Sequence, residues 1–370
     1  MKIAIVHYDI SMQTGAQRLV LGMGNSLKKL GHEVAYFTAI YDKEKAFEEF
    51  RTENVIVSNG NLDYFGRFRA ITAYRESKEM MKTGIGEFKP DLFVFSSNYY
   101  LADKYKPSII YCHHPEQLLV KKSDLIRRLL HFPIDRAENK GFKETNSILC
   151  NSDFTKNAIH ERFNRDSTII FPGVDIDKFT LNEAGNRFIL TVNRIVPNKN
   201  LIFSIKLINK MKKRDSKIKL VIIGVKQPGF EWHLDELNKK IKELDLTNNV
   251  EIHTNVTDSK LVDSYKNCSI FLYTPKEEHF GIAPIEAMAC GKPVIAFNTG
   301  GPKETVVSNI TGYLLQDDLD QWEEKIFELL DNNQKRMKMG ISARNRVVDE
   351  FSWDAFMRKI KENLGQMQIN

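Results

Sequence analysis

The chain has 370 residues, long for one domain and suited to two. Lys plus Arg (54) exceed Asp plus Glu (48), and a net charge of +6 demands neither nucleic acid nor any other polyanion, while remaining compatible with phosphate-bearing ligands and membrane surfaces. Cys112, Cys150, Cys268 and Cys290 lie far apart with no C-x-x-C pair, which argues against a disulfide framework or zinc site and fits a reducing cytosol.

The opening run from Lys2 reads as a strand rather than a signal peptide, and no apolar run is long enough to span a bilayer. Short apolar strands then alternate with polar, helix-like stretches. The strands expected in the first half are Lys2–Tyr8, Glu33–Ala39, Asp91–Phe95, Ser108–Cys112, Ser147–Asn151 and Ser167–Phe171. Those of the second half are Phe188–Asn193, Lys219–Gly224, Asn249–His253, Ser269–Tyr273, Pro293–Phe297 and Gly312–Leu315. Most are continuous apolar runs, which implies parallel sheets covered by helices on both faces. The series breaks once, at Pro172-Gly173-Val174-Asp175, and the polar segment from there to Arg187 reads as a linker. Two doubly wound α/β domains facing across a cleft follow.

One stretch carries most of the chemical information: Lys276-Glu277-Glu278-His279-Phe280-Gly281-Ile282-Ala283-Pro284-Ile285-Glu286-Ala287-Met288. It joins two strands through a loop and a short helix, with Glu278 past the first strand and Glu286 inside the helix. Ligands of open parallel sheets bind at the carboxyl ends of strands. Two carboxylates there, beside the amides of a helix start, suit a ligand that is polyhydroxylated and anionic, such as a nucleotide sugar. Asn193-Arg194-Ile195-Val196-Pro197-Asn198-Lys199 follows the first strand of the second half. There Arg194 offers directional hydrogen bonds and Lys199 a mobile point charge to a diphosphate. Near the N-terminus, Gly15 opens a helix that Gly31 closes, and its turn lets a phosphate or sugar approach the backbone. Tyr111-Cys112-His113-His114-Pro115-Glu116 ends a strand; one of its histidines can face the cleft and meet an acceptor hydroxyl. Asp175-Ile176-Asp177 and Asp318-Leu319-Asp320 have the form of metal-binding acidic pairs. The first lies in the linker and the second precedes a helix it can cap, so neither is taken as a metal site.

Taken together, these residues resemble the retaining glycosyltransferases of the GT-B fold, along nearly the whole chain. The resemblance rests on Glu278-x7-Glu286, the Gly15 loop, Asn193-Arg194 with Lys199, Phe171-Pro172-Gly173-Val174-Asp175, and Asn298-Thr299-Gly300-Gly301-Pro302-Lys303-Glu304. Three segments, at 111–116, 151–155 and 278–282, look most like the eukaryotic-type mannosyltransferases that build lipid-linked oligosaccharides. The chain departs from the usual Gly-Gly-Ala-Glu-Arg loop at Thr14 and Gln17, and has His114 where relatives usually carry an aromatic.

The resemblance implies an acceptor-side domain of residues 1–172, joined by a C-terminal helix of residues 352–370 that packs back, and a donor domain of residues 173–351. Arg194 and Lys199 would neutralise the leaving diphosphate. Glu278 would hold the donor sugar, and the amides of Phe280, Gly281, Ile282 and Ala283 the sugar and β-phosphate. Glu286 would bind the ribose, Gly15 would belong to the donor site, and His113 would sit at the reacting centre. The implied reaction moves a hexose, mannose from GDP-mannose foremost, to a lipid-linked saccharide or similar glycan. It needs no metal and no cofactor beyond that cosubstrate. A UDP-sugar with another acceptor, a non-hydrolysing UDP-sugar epimerase, and a catalytically silent binding protein are the alternatives. Tyr64, Phe65 and Phe68 with Arg67 and Arg69, and the apolar and basic residues of Leu118–Phe132, suggest peripheral contact with the inner face of the membrane. The protein is otherwise expected in the cytoplasm, with no nucleic-acid partner.

Overall fold

The structure, a computed structural model, describes residues 1–58, 69–115, 125–183 and 185–367, and of residues 69–71 and 125–131 the backbone alone. Glu116, the aromatic and basic residues at 61–68 and the apolar and basic side chains at 118–130 lie outside the described residues.

Two compact units form. The first comprises Met1–Gly173 and the chain from Trp353 onward; the second is Val174–Ser352. The first holds β1 (Lys2–Val6), α1 (Gly15–Lys29), β2 (Glu33–Thr38), β3 (Val55–Val57), α2 (Arg69–Phe88), β4 (Leu92–Phe95), β5 (Ser108–Cys112), α3 (Leu125–Glu144), β6 (Ser147–Cys150), α4 (Asp153–Phe163) and β7 (Thr168–Ile169). The second holds β8 (Ile189–Ile195), α5 (Leu201–Met211), β9 (Leu220–Lys226), α6 (Glu231–Glu243), β10 (Val250–Thr254), α7 (Asp258–Asn267), β11 (Ile270–Tyr273) and α8 (Ile282–Ala289). It continues through β12 (Val294–Phe297), α9 (Pro302–Thr305), β13 (Gly312–Leu315), α10 (Leu319–Asp331) and α11 (Asn333–Glu350), after which α12 (Trp353–Gln366) returns to the first unit.

Each unit is built on one parallel sheet, ordered β3-β2-β1-β4-β5-β6-β7 in the first and β10-β9-β8-β11-β12-β13 in the second. The fully buried strands β4, β5, β11 and β12 are the unbroken apolar runs of the sequence, as two-sided burial requires. Strand order reverses between β1 and β4, and again between β8 and β11. These are the topological switch points at which the strands' carboxyl ends offer a crevice. In the second sheet the register shows the opening directly. β8 pairs with β9 over its whole length, Ile189↔Leu220 to Ile195↔Lys226, but with β11 only at Ile189↔Ile270 and Leu190↔Phe271.

Three expectations are corrected. β8 runs two residues past its expected end at Asn193, through Arg194 and Ile195, because pairing with Val225 and Lys226 of β9 carries it on. β3, an edge strand of three residues, is too short to stand out in the sequence. The segment 174–187 is no loose linker. Phe179 is buried against Tyr265, Arg344 donates to the carbonyls of Ile176 and Phe179, and Lys292 Nζ donates to that of Asn182, so the segment is part of the second unit.

α12 completes the core of the first unit. Phe356 and Ile360 are buried with Leu19, Val20, Met23 and Leu27 of α1, and Trp353 and Leu364 pack beside them. Trp353 lies so close to α1 that a Cβ at Gly22 would come within 2.1 Å of its ring. Full burial of a side chain such as Phe356 is worth about 1.5–3 kcal/mol, and its deletion adds a cavity. Phe356→Ala should therefore lower the unfolding free energy by about 3–5 kcal/mol, read from urea unfolding. An unchanged midpoint would show that α12 adds nothing to this core.

Candidate functional site

Each unit gathers polar side chains at its own switch point. In the second unit they come from the turn after β8 and the loop after β11. Pro197 sets the turn, Lys199 ends it, and Asn200 follows in the left-handed conformation (φ 56°). Thr274, just past β11, ties the two segments together. Its hydroxyl donates to the Lys199 carbonyl at 3.0 Å, and its own carbonyl accepts from Asn200 Nδ2 at 3.2 Å. Lys199 and Glu278 are thereby brought into a salt bridge at Glu278 Oε2. The Tyr273 hydroxyl donates to the same oxygen at 3.0 Å.

Lys199 is only 8% exposed, so it is a fixed, paired cation and not the mobile point charge expected from the sequence. Arg194 stands differently, exposed near the carboxyl end of β8. Its charge reaches Tyr273 and opposes, in small part, the upward push that burial and Glu278 give that phenol.

The loop then turns into α8. Gly281 precedes the helix with φ 88°, and a Cβ there would lie 2.7 Å from the Tyr273 hydroxyl oxygen. Both constraints require glycine. Ile282 and Ala283 open α8, so their N–H groups belong to its first turn, where intrahelical partners are lacking. Phe280 is buried against Phe351. The Gly300-Gly301 turn presses on this loop from the side: Gly301 N–H donates to the Glu278 carbonyl at 2.8 Å, and a Cβ on Gly301 would come within 2.4 Å of Phe280 Cα. One turn into α8, Glu286 Oε2 accepts from the Tyr265 hydroxyl at 2.7 Å.

In the first unit, His7 follows β1, Ser96 follows β4 and His113 follows β5. His113 Nε2 lies 2.7 Å from Ser96 Oγ, and its ring meets His7 edge-on at 6.3 Å. Its backbone is fixed from both sides. The N–H donates to the Tyr99 hydroxyl at 3.3 Å, and the carbonyl accepts from Asn151 Nδ2 at 2.9 Å. Ser152 caps α4 by accepting from the Thr155 N–H at 3.0 Å. The 151–155 segment thus serves to hold His113. His114 is exposed, so the two adjacent histidines point to different surroundings.

Gly15 opens α1 and is exposed. The two departures beside it are coupled: the Thr14 hydroxyl donates to Gln17 Oε1, and Gln17 Nε2 donates to the Asp9 carbonyl at 2.8 Å, 3.4 Å from His7 Nε2. Thr14-x-x-Gln17 has the spacing of a capping box, yet here the two side chains bond each other.

Asp175 and Asp318 are occupied locally. Asp175 Oδ1 accepts from the N–H groups of Asp177 and Lys178, and Asp318 caps α10. Among the described residues no group of three or more His, Cys, Asp or Glu side chains could hold a metal ion, and no helix is long and apolar enough to cross a membrane. Sequence reasoning missed Tyr265, Tyr273, Ser96 and His7, and singled out Asn151 only as part of the 151–155 segment. The polar residues sit at strand ends, a signal that could have flagged Ser96 and His7; Tyr273 in its apolar run reads simply as core, and Tyr265 among the polar residues of α7 reads as surface.

Two family descriptions match the chain: "Glycosyltransferase Family 4" over residues 13–178, and "Glycosyl transferases group 1" over residues 174–346. The α-1,3/1,6-mannosyltransferase ALG2 of Candida glabrata is 30% identical over 435 residues, spanning 98% of this chain and 92% of that protein. ALG2 of Mus musculus is 29% identical, spanning 96% and 93%. Among solved structures, sucrose-phosphate synthase from Thermosynechococcus elongatus superimposes with a TM-score of 0.82 at 19% identity, over 99% of this chain and 98% of that one. HepE from Anabaena, solved with UDP and glucose, gives 0.78 at 18% identity, over 99% and 100%. These likenesses show a GT-B fold.

The histidine pair yields a test in pH. Burial, partly offset by Asp9 and the Ser96 backbone, lowers His7 to about 4. Burial, with His7 and His114 adding to it, lowers His113 to about 3. Both rings are neutral at pH 7. The unfolded chain takes up protons near pH 6.5 that the folded chain refuses until about pH 4 or below, so stability is fully present above 6.5 and declines as pH falls through that window. Melting temperatures from pH 8 to pH 4 should show the decline, with a shallower slope in His7→Gln. Identical slopes would mean that His7 does not resist protonation.

Proposed function

The chain belongs to the glycosyltransferase family of the α-1,3/1,6-mannosyltransferase ALG2, and on that premise we propose that it transfers mannose from GDP-mannose, with retention, to a lipid-linked saccharide. The observation that carries this reading is the Lys199–Glu278 pair at the β8/β11 switch point, beside the start of α8. A fixed cation, a carboxylate and open helix amides suit a ligand that combines phosphates with sugar hydroxyls.

In the proposed reaction the bond from the anomeric carbon to the β-phosphate oxygen breaks and a bond to the acceptor oxygen forms on the same face. Negative charge grows on the departing diphosphate, and Arg194 and Lys199 stabilise it where it grows. Glu278 holds hydroxyls of the sugar. The N–H groups of Phe280 to Ala283 support the sugar and β-phosphate, and Glu286 takes the ribose. Gly15, at the exposed start of α1, is proposed to meet the donor phosphates. His113 touches the acceptor side as a neutral imidazole. Burial lowers its pKa well below the ordinary value, so it serves as an uncharged hydrogen-bonding partner, and in the proposed reaction the acceptor proton passes to an oxygen of the leaving diphosphate. A membrane-borne acceptor agrees with the basic and apolar sequence at 61–69 and 118–132.

Incubation with GDP-mannose and a lipid-linked saccharide, with UDP-sugars in parallel, tests the reading. Mannose incorporation supports it, and transfer from a UDP-sugar alone would overturn the donor. Arg194→Ala should lower turnover on the order of 10²–10³-fold. Arg194 is exposed, so the melting temperature should hold; near-normal turnover would remove it from the diphosphate site. Because two protein cations can serve the diphosphate, full activity is expected in excess chelator. A loss reversed by Mn²⁺ or Mg²⁺ would show that a metal shares the task.

A further inference from the structure

Each carboxylate of the Glu278-x7-Glu286 stretch has a buried tyrosine bonded to it, and the two pairs repeat one another. Tyr273 donates to Glu278 Oε2 at 3.0 Å and Tyr265 to Glu286 Oε2 at 2.7 Å. Tyrosines and glutamates alike are eight positions apart. Tyr265 is 0% exposed and Tyr273 2%, whereas Glu278 and Glu286 are only half-buried. The phenols hold the carboxylates from the protein side.

The tyrosines are themselves held. Phe271 lies between them, its ring centroid 5.6 Å from that of Tyr265 and 6.3 Å from that of Tyr273, and Phe179 closes on Tyr265 edge-on at 5.7 Å. Phe271 and Tyr273 share one face of β11, the face toward α8, while Ile270 and Leu272 point into the opposite core. Burial and the adjoining carboxylate raise both phenols well above their ordinary value, so each remains a proton donor throughout the working pH range.

We propose that Tyr273 and Tyr265 are positioning residues that divide donor recognition into two separately tuned contacts, Tyr273 setting Glu278 for the sugar and Tyr265 setting Glu286 for the nucleotide ribose. This rests on the sugar and ribose roles given to the two glutamates above. An unrestrained glutamate must lose rotamer freedom when it binds; a phenol anchored in an aromatic row has removed that freedom beforehand. One oxygen of each carboxylate is committed to the protein, which turns the group and limits the hydroxyl arrangements it can accept. Substitution by phenylalanine keeps the ring and deletes only the hydroxyl, and loss of a hydrogen bond to a charged group is felt on the order of ten- to a hundredfold.

The experiment compares wild type, Tyr265→Phe and Tyr273→Phe by steady-state kinetics with GDP-mannose. Inhibition by GDP and by 2′,3′-dideoxy-GDP is measured alongside, with melting temperatures. Tyr265→Phe should weaken GDP inhibition about tenfold or more and leave inhibition by the dideoxy analogue unchanged, since that analogue has no hydroxyls for Glu286. Tyr273→Phe should keep GDP inhibition within about twofold and lower kcat/KM for GDP-mannose ten- to a hundredfold. Equal effects of both variants on both inhibitors would overturn the division. So would a fall in melting temperature with unchanged kinetic constants, which would leave the tyrosines a purely structural role. Wild-type protein that neither binds GDP nor turns over any nucleotide sugar would overturn the transferase reading itself, a result distinct from an active wild type with unaltered variants.

Discussion

A lysine ammonium that is 8% exposed needs a compensating charge within reach, and in the second unit Glu278 is that charge. Removing Glu278 would strand that nearly buried ammonium, at a cost of up to about 3–5 kcal/mol. The surroundings follow from keeping the pair together. β8 must part from β11 after two residue pairs to make room for it. Thr274 must join the turn bearing Lys199 to the loop bearing Glu278, and Gly301 must come close enough to bond the Glu278 carbonyl. Tyr273, Gly281 and the start of α8 are then placed by one another, since the glycine leaves room for the phenol and the phenol fixes the carboxylate.

The first unit answers the same topology with different chemistry. Its switch point holds imidazoles, a serine hydroxyl and amides with Asp9 nearby, and burial keeps both rings uncharged at pH 7 against the pull of that carboxylate. On the proposed reading the contrast has a reason. The donor loses a diphosphate and needs permanent cations where that charge appears. The acceptor is a neutral polyol until the instant of reaction, and neutral partners can hold it without trapping it in an ionic complex.

Much of the fold was legible because two-sided burial writes itself as continuous apolar runs: β5 and β13 have the expected bounds, and most other strands agree within one or two residues. The failures cluster where tertiary contacts override local pattern. β8 continues past Asn193 through Arg194 and Ile195 because β9 pairs with them, and β3 forms because an edge position next to β2 was open to three residues. Within the candidate site, Glu278, Glu286, Arg194 and Lys199 were legible as charges next to apolar runs. What could not be read was which group meets which: that Lys199 pairs with Glu278, that Tyr265 of α7 reaches Glu286 of α8, or that Tyr273 of β11 reaches Glu278 in the following loop, depends on contacts between residues 5 to 79 positions apart.

The Thr14–Gln17 pair shows how such coupling changes the meaning of a departure from a family pattern. Read singly, each residue looks like a lost feature of the Gly15 loop. In the structure they form one chain, with the Thr14 hydroxyl donating to Gln17 Oε1 and Gln17 Nε2 donating to the Asp9 carbonyl beside His7. Gln17 is 4% exposed, and a glutamate there would put an uncompensated charge against His7 and draw that ring toward protonation. Burial keeps the imidazole neutral even with Asp9 nearby, an uncharged Gln17 adds no further pull toward protonation, and Thr14 supplies a donor to its amide oxygen. The two departures are thus coupled through one hydrogen-bonded chain that ends beside His7.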